Sequence, residues 1–399
     1  MKESTRLYWF GVSPLVAFSL MFIFVVTMYK FAWSELFPPL EWNLLWFIST
    51  TILVCVGLAI VKWIMRRPEI INIKTYWNMR RVFIASSVLG TLTCLEFFHA
   101  GGIPILFLMD DSIYDYRNFG IKVLHVAIFA TYNFLGVHWF LLYLCFSKKN
   151  YLIFSILMLS INVLILNRGA IVMCALSIGI IFVLQRGLRL IQILKITAVA
   201  TILTVFFGIL GDARMVAMGM NPSVGIEIIG EASDSYPQNL GSSAFWVYLY
   251  TCSPLANLQL NVSEGNVRSA AIQITPMTFI ALEILPDFIG KHLISVDTFS
   301  ISPILISNSL NVSTGFGRAF YLAGWAGSFA VFFLFLGYYA LIWQFFRNTE
   351  YFKSVMAMFS AGSALLVFHN MLTFSGFTGP LMFALILSLV QSKQRRRSI

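Results

Sequence analysis

Charge is what this sequence has least of. Only 11% of its 399 residues are charged, where a soluble domain carries about a quarter, and 59% are hydrophobic, with a mean hydropathy of +0.82. A single water-soluble core of this length cannot bury so much apolar surface. A soluble enzyme, a disordered chain and a secreted disulfide scaffold are excluded, which leaves a polytopic membrane protein. Cysteine is scarce too. Cys55, Cys94, Cys145 and Cys174 lie in apolar runs and Cys252 in a segment expected to face water, and neither a disulfide framework nor a metal-ligand spacing follows. The absence of a Walker motif or other nucleotide-binding loop excludes an internal NTPase. No repeat shows at a period of 20–50 residues, and no inverted repeat in the helix lengths.

What the chain has is a series of apolar stretches near 10–29, 43–62, 82–99, 121–146, 151–166, 170–185, 193–211, 315–343, 354–373 and 377–391. Each is read as a helix crossing roughly 30 Å of hydrocarbon, which predicts an all-α membrane helix bundle of about ten spans. The fifth and sixth share a tight junction at Asn167-Arg168-Gly169. The first run is too long for a cleaved signal and has no small-residue cleavage site, so it reads as a retained span. Residues 1–211 then hold spans one to seven, 212–314 form a large external loop, and 315–399 hold the last three spans and a basic tail.

Ten spans put both termini on one side, and the charges sort accordingly. That side receives 19 of the 27 lysines and arginines and only Glu3, Glu69 and Glu350 among the acids, a balance of +16; the remainder of the chain carries −6. The positive-inside rule makes the first side cytoplasmic. The overall +10 is therefore a topology signal and a contact with anionic headgroups. The tail Lys393-Gln394-Arg395-Arg396-Arg397 calls for no nucleic acid.

The external side is richer. Loop 100–120 carries Asp110, Asp111, Asp115, Tyr114, Tyr116 and Arg117, and loop 212–314 holds the apolar patches 245–250 and 276–280 between Pro, Gly, Ser and Asn. These patches predict short interfacial or re-entrant helices over the bundle. A hairpin of true spans over 242–258 and 270–285 is disfavoured, because both are short and the second holds Gln273, Pro276 and Glu283.

Arginine is the informative residue here. Charge is costly near the outer face, yet Arg117, Arg168, Arg214, Arg268 and Arg318 all occupy it. The planar guanidinium fork matches phosphate bidentately and stays charged. Brought together, Arg117, Arg168, Arg214 and Arg318 form a cationic basin at headgroup level, suited to the diphosphate of a lipid-linked sugar. Snorkelling, or pairing with acids such as Asp115 or Asp212, is the alternative. His369, in Phe368-His369-Asn370, and Asp212 are candidate proton acceptors. His138 reads as buried in span four, Glu96 as lying one turn below His99, and no histidine shows metal spacing. Asn261-Val262-Ser263 and Asn311-Val312-Ser313 match the N-glycosylation pattern, and Gly324-Trp325-Ala326-Gly327 reads as a site of close helix packing.

With these residues the chain resembles the bacterial O-antigen polymerases (Wzy), the oligosaccharide repeat-unit polymerases. The likeness runs over the whole length: many spans, little cytoplasmic mass, and one dominant periplasmic loop before the last helices. Local likenesses are Tyr116-Arg117-Asn118-Phe119-Gly120, Asn167-Arg168-Gly169, and the glycine-punctuated run from Gly315 to Gly324; Arg214 and Gly225 fit an arginine–glycine spacing of eleven. The resemblance implies a C-type glycosyltransferase-like fold in the bacterial inner membrane, metal-independent and without cofactor, with its site on the periplasmic face. The donor is a glycan on undecaprenyl diphosphate and the acceptor a single undecaprenyl-diphosphate-linked oligosaccharide. Membrane lipids and a chain-length regulator protein are the implied partners. The rivals are an O-antigen ligase, which transfers glycan to the lipid A core, and a lipid-linked oligosaccharide flippase. Replacing Arg168 or Arg214 by alanine, with expression checked, is expected to abolish long-chain glycan and leave single-unit caps. Normal chain-length ladders from both variants would refute the roles.

Overall fold

The computed structural model describes residues 10–65, 76–107, 119–121, 123–187, 225–268 and 275–397, with the backbone alone at 168, 238, 265–268, 296 and 392–397. The described chain is all-α apart from an isolated antiparallel bridge between Ser34 and Ala232. Ten helices carry it: α1 Pro14–Tyr29, α2 Trp42–Met65, α3 Met79–His99, α4 Leu124–Phe146, α5 Lys149–Leu164, α6 Arg168–Arg186, α7 Gly241–Arg268, α8 Gly317–Phe346, α9 Phe352–Leu365 and α10 Ser375–Arg397. Nine of the ten apolar stretches fall on helices; the stretch at 193–211 lies outside the described residues. Among the described residues five helices are long and apolar enough to cross a membrane, namely α2, α3, α4, α6 from Gly169, and α8, and α1, α5 and α10 are shorter apolar helices. The exposed faces of α2 and α3 present Trp46, Leu53, Ile64, Phe83, Val88 and Phe98, an exterior suited to lipid rather than water.

Local chemistry sets several helix starts. Pro14 opens α1 behind Ser13, whose hydroxyl accepts from Val16 N, and Asn78 caps α3 by accepting from Arg81 N at 3.0 Å. At the α5–α6 junction Leu166 takes a left-handed φ of +60° and Asn167 accepts from Ala170 N at 3.1 Å, so the turn is as tight as its sequence suggests. α9 is the central element, with nearly every side chain buried, and it packs against α1, α4, α6, α8 and α10. At 14 residues it is only about 21 Å long. It stops at Leu365, well before the end of the stretch 354–373.

Helix ends gather into two groups. At one, the basic end, Glu350 accepts from Tyr76 N at 2.8 Å and from Gln391 Nε2 at 2.6 Å, Tyr151 donates to Trp77 O, and Lys62 donates to the Tyr339 hydroxyl at 2.6 Å. Lys62, Arg80, Arg81, Lys149, Arg347 and Lys353 thus lie at helix ends tied into one face. The other, the distal end, carries the 30–41 connection. Trp33 N donates to the Tyr248 hydroxyl, Glu35 N to Glu231 O, and Glu41 N to Gln259 Oε1.

The patch 245–250 does not form the short helix that its sequence predicts. It belongs to the 28-residue α7, which runs along the 30–41 connection with Pro254 inside it. Proline removes one helical hydrogen bond. Complete burial of Phe245, Tyr248, Leu249, Cys252, Leu255 and Leu258 outweighs that loss. Cys252 is accordingly buried rather than water-facing; Cys94 on α3 and Cys145 on α4 lie in helices of the expected runs, on the exposed surface of the bundle. The second patch does form a short helix, Pro276–Phe279, followed by a π-turn over Ile280–Ile284.

Two buried asparagines one turn apart on α7 hold an extended strap. Asn257 donates to Leu310 O and Val312 O, both at 2.7 Å, and accepts from Ile306 N; Asn261 donates to Ile304 O and accepts from Ile304 N. Asn261 is 1% exposed with its amide engaged, so its sequon is not a glycan acceptor. In α8 the Gly324 motif breaks the helix instead of packing it against a neighbour. Ala323 and Gly324 leave helical geometry, Gly324 at φ +59°, and the break brings the Ala319 carbonyl so near Gly327 that a Cβ there would lie 2.2 Å from the oxygen. Each buried polar group left unpaired costs roughly 1–3 kcal/mol. Asn257→Ala, which strands three backbone groups of the strap, is therefore expected to lower the thermal unfolding midpoint in detergent by several degrees. An unchanged midpoint would show that the strap is held otherwise.

Candidate functional site

Three stretches of non-helical backbone meet at the distal end. They are the π-turn Ile280–Ile284 with the residues after it, the turn 313–316 ahead of α8, and the connection 366–374 between α9 and α10. Backbone bonds tie them together: Gly315 N donates to Leu366 O at 2.7 Å, Asp287 N to Thr373 O at 2.8 Å, and Thr314 N to Pro254 O at 3.3 Å. Broken backbone within an apolar bundle persists where it is buried in protein or lines a polar site.

At the meeting point Arg318, in the first turn of α8, donates from Nε to Glu283 Oε1 and from Nη2 to Leu282 O, both at 2.5 Å. Asn370 Nδ2 donates to Glu283 Oε2 at 3.0 Å and to Glu283 O at 3.1 Å, and Asn370 Oδ1 accepts from Leu372 N. Glu283 is 0% exposed and has both carboxylate oxygens bonded. Burial pushes its carboxyl up, against the pull of Arg318 and Asn370. The Arg318 side chain is 20% exposed, and these contacts use two of its five N–H donors.

Two further titratable groups lie within reach of this charge. Asp287, half-buried one turn beyond Glu283, is raised to about 6 by burial, with Arg318 opposing and Glu283 reinforcing the shift. His369 is lowered to about 4 by burial and then by Arg318. Its side chain is nonetheless open to solvent, and its ring lies edge-on to Phe374 at 6.1 Å. At neutral pH the site thus holds a fixed cation, a compensating carboxylate, a carboxylate that titrates near neutrality and a neutral imidazole. That set can bind an anion and take up a proton.

Of the residues singled out in the sequence, Arg318 and His369 come together here. His369 lies in the 366–374 connection and not within a helix, because α9 ends early. Arg168 opens α6 and Arg268 closes α7, each with its backbone alone described. Arg117, Arg214 and Asp212 lie outside the described residues. Arg318 is not a lone cation, since the Glu283 carboxylate neutralises it. Glu283, Asp287 and Asn370 escaped the sequence reading. The available signal was an acid inside the apolar run Phe279–Leu285, a costly placement unless the group is partnered.

The raised Asp287 has a consequence for folding. Between its ordinary 3.8 and about 6 the native state holds a proton that the unfolded chain has released. Its contribution to stability is full below that window and is lost as pH rises through it. Asp287→Asn is expected to flatten this part of the curve of unfolding midpoint against pH; an identical curve would show that Asp287 titrates normally. No family model, curated protein or solved structure matches the chain.

Proposed function

We propose that the protein is a membrane-embedded glycosyltransferase of the O-antigen polymerase type, with the distal end on the periplasmic face of the bacterial inner membrane and both termini in the cytoplasm. The observation that carries this reading is Arg318, braced by Glu283 yet with three donors unspent, beside Asp287 at the junction of three broken segments.

In this reading the donor is a growing glycan on undecaprenyl diphosphate and the acceptor a single lipid-linked repeat unit. The acceptor hydroxyl oxygen bonds to the donor's anomeric carbon as the bond from that carbon to the diphosphate oxygen breaks. The hydroxyl proton passes to the Asp287 carboxylate, and undecaprenyl diphosphate leaves with the bonding electrons. Arg318 stabilises the charge that develops on the leaving oxygen, and Arg117, Arg168 and Arg214 remain the sequence's candidates for the second phosphate. An acceptor group works best when its pKa lies near the operating pH, which favours Asp287 over His369 and its value of about 4. No metal or cofactor is required by this scheme.

Arg318→Lys keeps the charge and loses the fork. It is expected to cut polymer formation roughly 10²–10³-fold, by analogy with a lost oxyanion donor. Asp287→Asn is expected to abolish long chains, and the wild-type rate is expected to climb as pH rises through about 6. Gel ladders of surface glycan check these outcomes. Single-unit caps support a polymerase, free polymer on its lipid carrier marks a ligase, and unaltered ladders from both variants refute the site.

A further inference from the structure

The basic end carries cations that no acid answers. α4, α6 and α9 pack on one another. The Cys145 thiol, in the last turn of α4, lies within electrostatic reach of Arg186, in the last turn of α6, and of Lys353, in the first turn of α9. Lys148 and Lys149 follow in the turn from α4 to α5.

Lys353 is the member out of place. It is half-buried, and burial penalises an ammonium ion that has no partner. It stands at the positive end of the α9 dipole, where a cation is disfavoured. Among the described residues it has no carboxylate partner, and neither have Arg186, Lys148 or Lys149. Glu350, the acid nearest to it in sequence, has both oxygens committed, one to Tyr76 N and one to Gln391 Nε2. A desolvated charge of this kind calls for an anion supplied from outside.

The approach is open, since Cys145, Phe146, Lys148, Lys149 and Arg186 are all exposed. A phosphate oxygen pair suits the guanidinium fork, and the ammonium adds a point charge. The Phe146 ring, 40% exposed beside Cys145, and the apolar helices that end here give acyl chains a surface that inorganic phosphate would leave uncovered. Basic pockets between spans take lipid headgroups in this way.

We propose that Lys353 and Arg186 hold the phosphate of an anionic phospholipid over the Cys145 thiol, with its acyl chains running past Phe146 along α4. This is a discrete site within the basic face, and it stands whether or not the distal end transfers glycan.

The test uses the full-length protein in an uncharged detergent. Short-chain phosphatidylglycerol, phosphatidylcholine of the same chain length and inorganic phosphate are added separately, and the thermal unfolding midpoint is read. Phosphatidylglycerol is expected to raise the midpoint by several degrees, as a ligand of the native state does, and the other two to leave it unchanged. Lys353→Gln and Arg186→Gln are each expected to lose most of that rise. Lys353→Arg, and Arg80→Gln at an exposed cation of the same face, are expected to keep it. A full rise in Lys353→Gln overturns the site. So does an equal loss in Arg80→Gln, which would mark diffuse attraction to the whole face. A rise with inorganic phosphate alone overturns the lipid as occupant. If the glutamine variants do not fold, alkylation of the wild-type thiols decides. Phosphatidylglycerol is expected to slow Cys145 severalfold and to spare Cys94, which is exposed on α3; equal Cys145 rates in the two lipids would overturn the site.

Discussion

The ion pair between Arg318 and Glu283 is the constraint on which the distal end depends. Removing one partner of a buried pair costs about 3–5 kcal/mol, because the other charge is stranded in a low-dielectric setting. Here the pair also joins segments far apart in sequence: the carboxylate comes from a π-turn, the guanidinium from the start of α8, and Asn370 completes the set from the α9–α10 connection. This carboxylate, together with the backbone bonds from Gly315 to Leu366 and from Asp287 to Thr373, holds the three stretches in place.

This arrangement changes what an outward-facing arginine means. Read from sequence, the cluster was a basin of bare positive charge. In the fold, the described member is compensated by a neighbouring acid. A compensated arginine is less attractive to bulk anions and better oriented toward a specific one, since its rotamer is fixed before a ligand arrives. The cost of ordering the side chain is met in folding and not in binding.

Much of the bundle could be read from the chain, for physical reasons that differ by element. Apolar runs such as 43–62 and 121–146 have to become helices, because an apolar environment leaves the backbone no other partner. The capped turn at Asn167 follows from side-chain chemistry within four residues. α7 was hidden because its fate rests on distant partners: Asn257 and Gln259 look like loop residues until the strap and Glu41 are placed beside them. Glu283 was hidden for the same reason. Its partners lie 35 and 87 positions away, and no local pattern encodes such a pairing.

The interruption at Gly324 separates α8 into a short collar bearing Arg318 and a long shaft. A continuous rod that tilts to match bilayer thickness swings its tip through several ångströms. With a kink between them, the two parts take different directions, and the placement of the guanidinium is set by the collar's own contacts with the π-turn rather than by the line of the shaft.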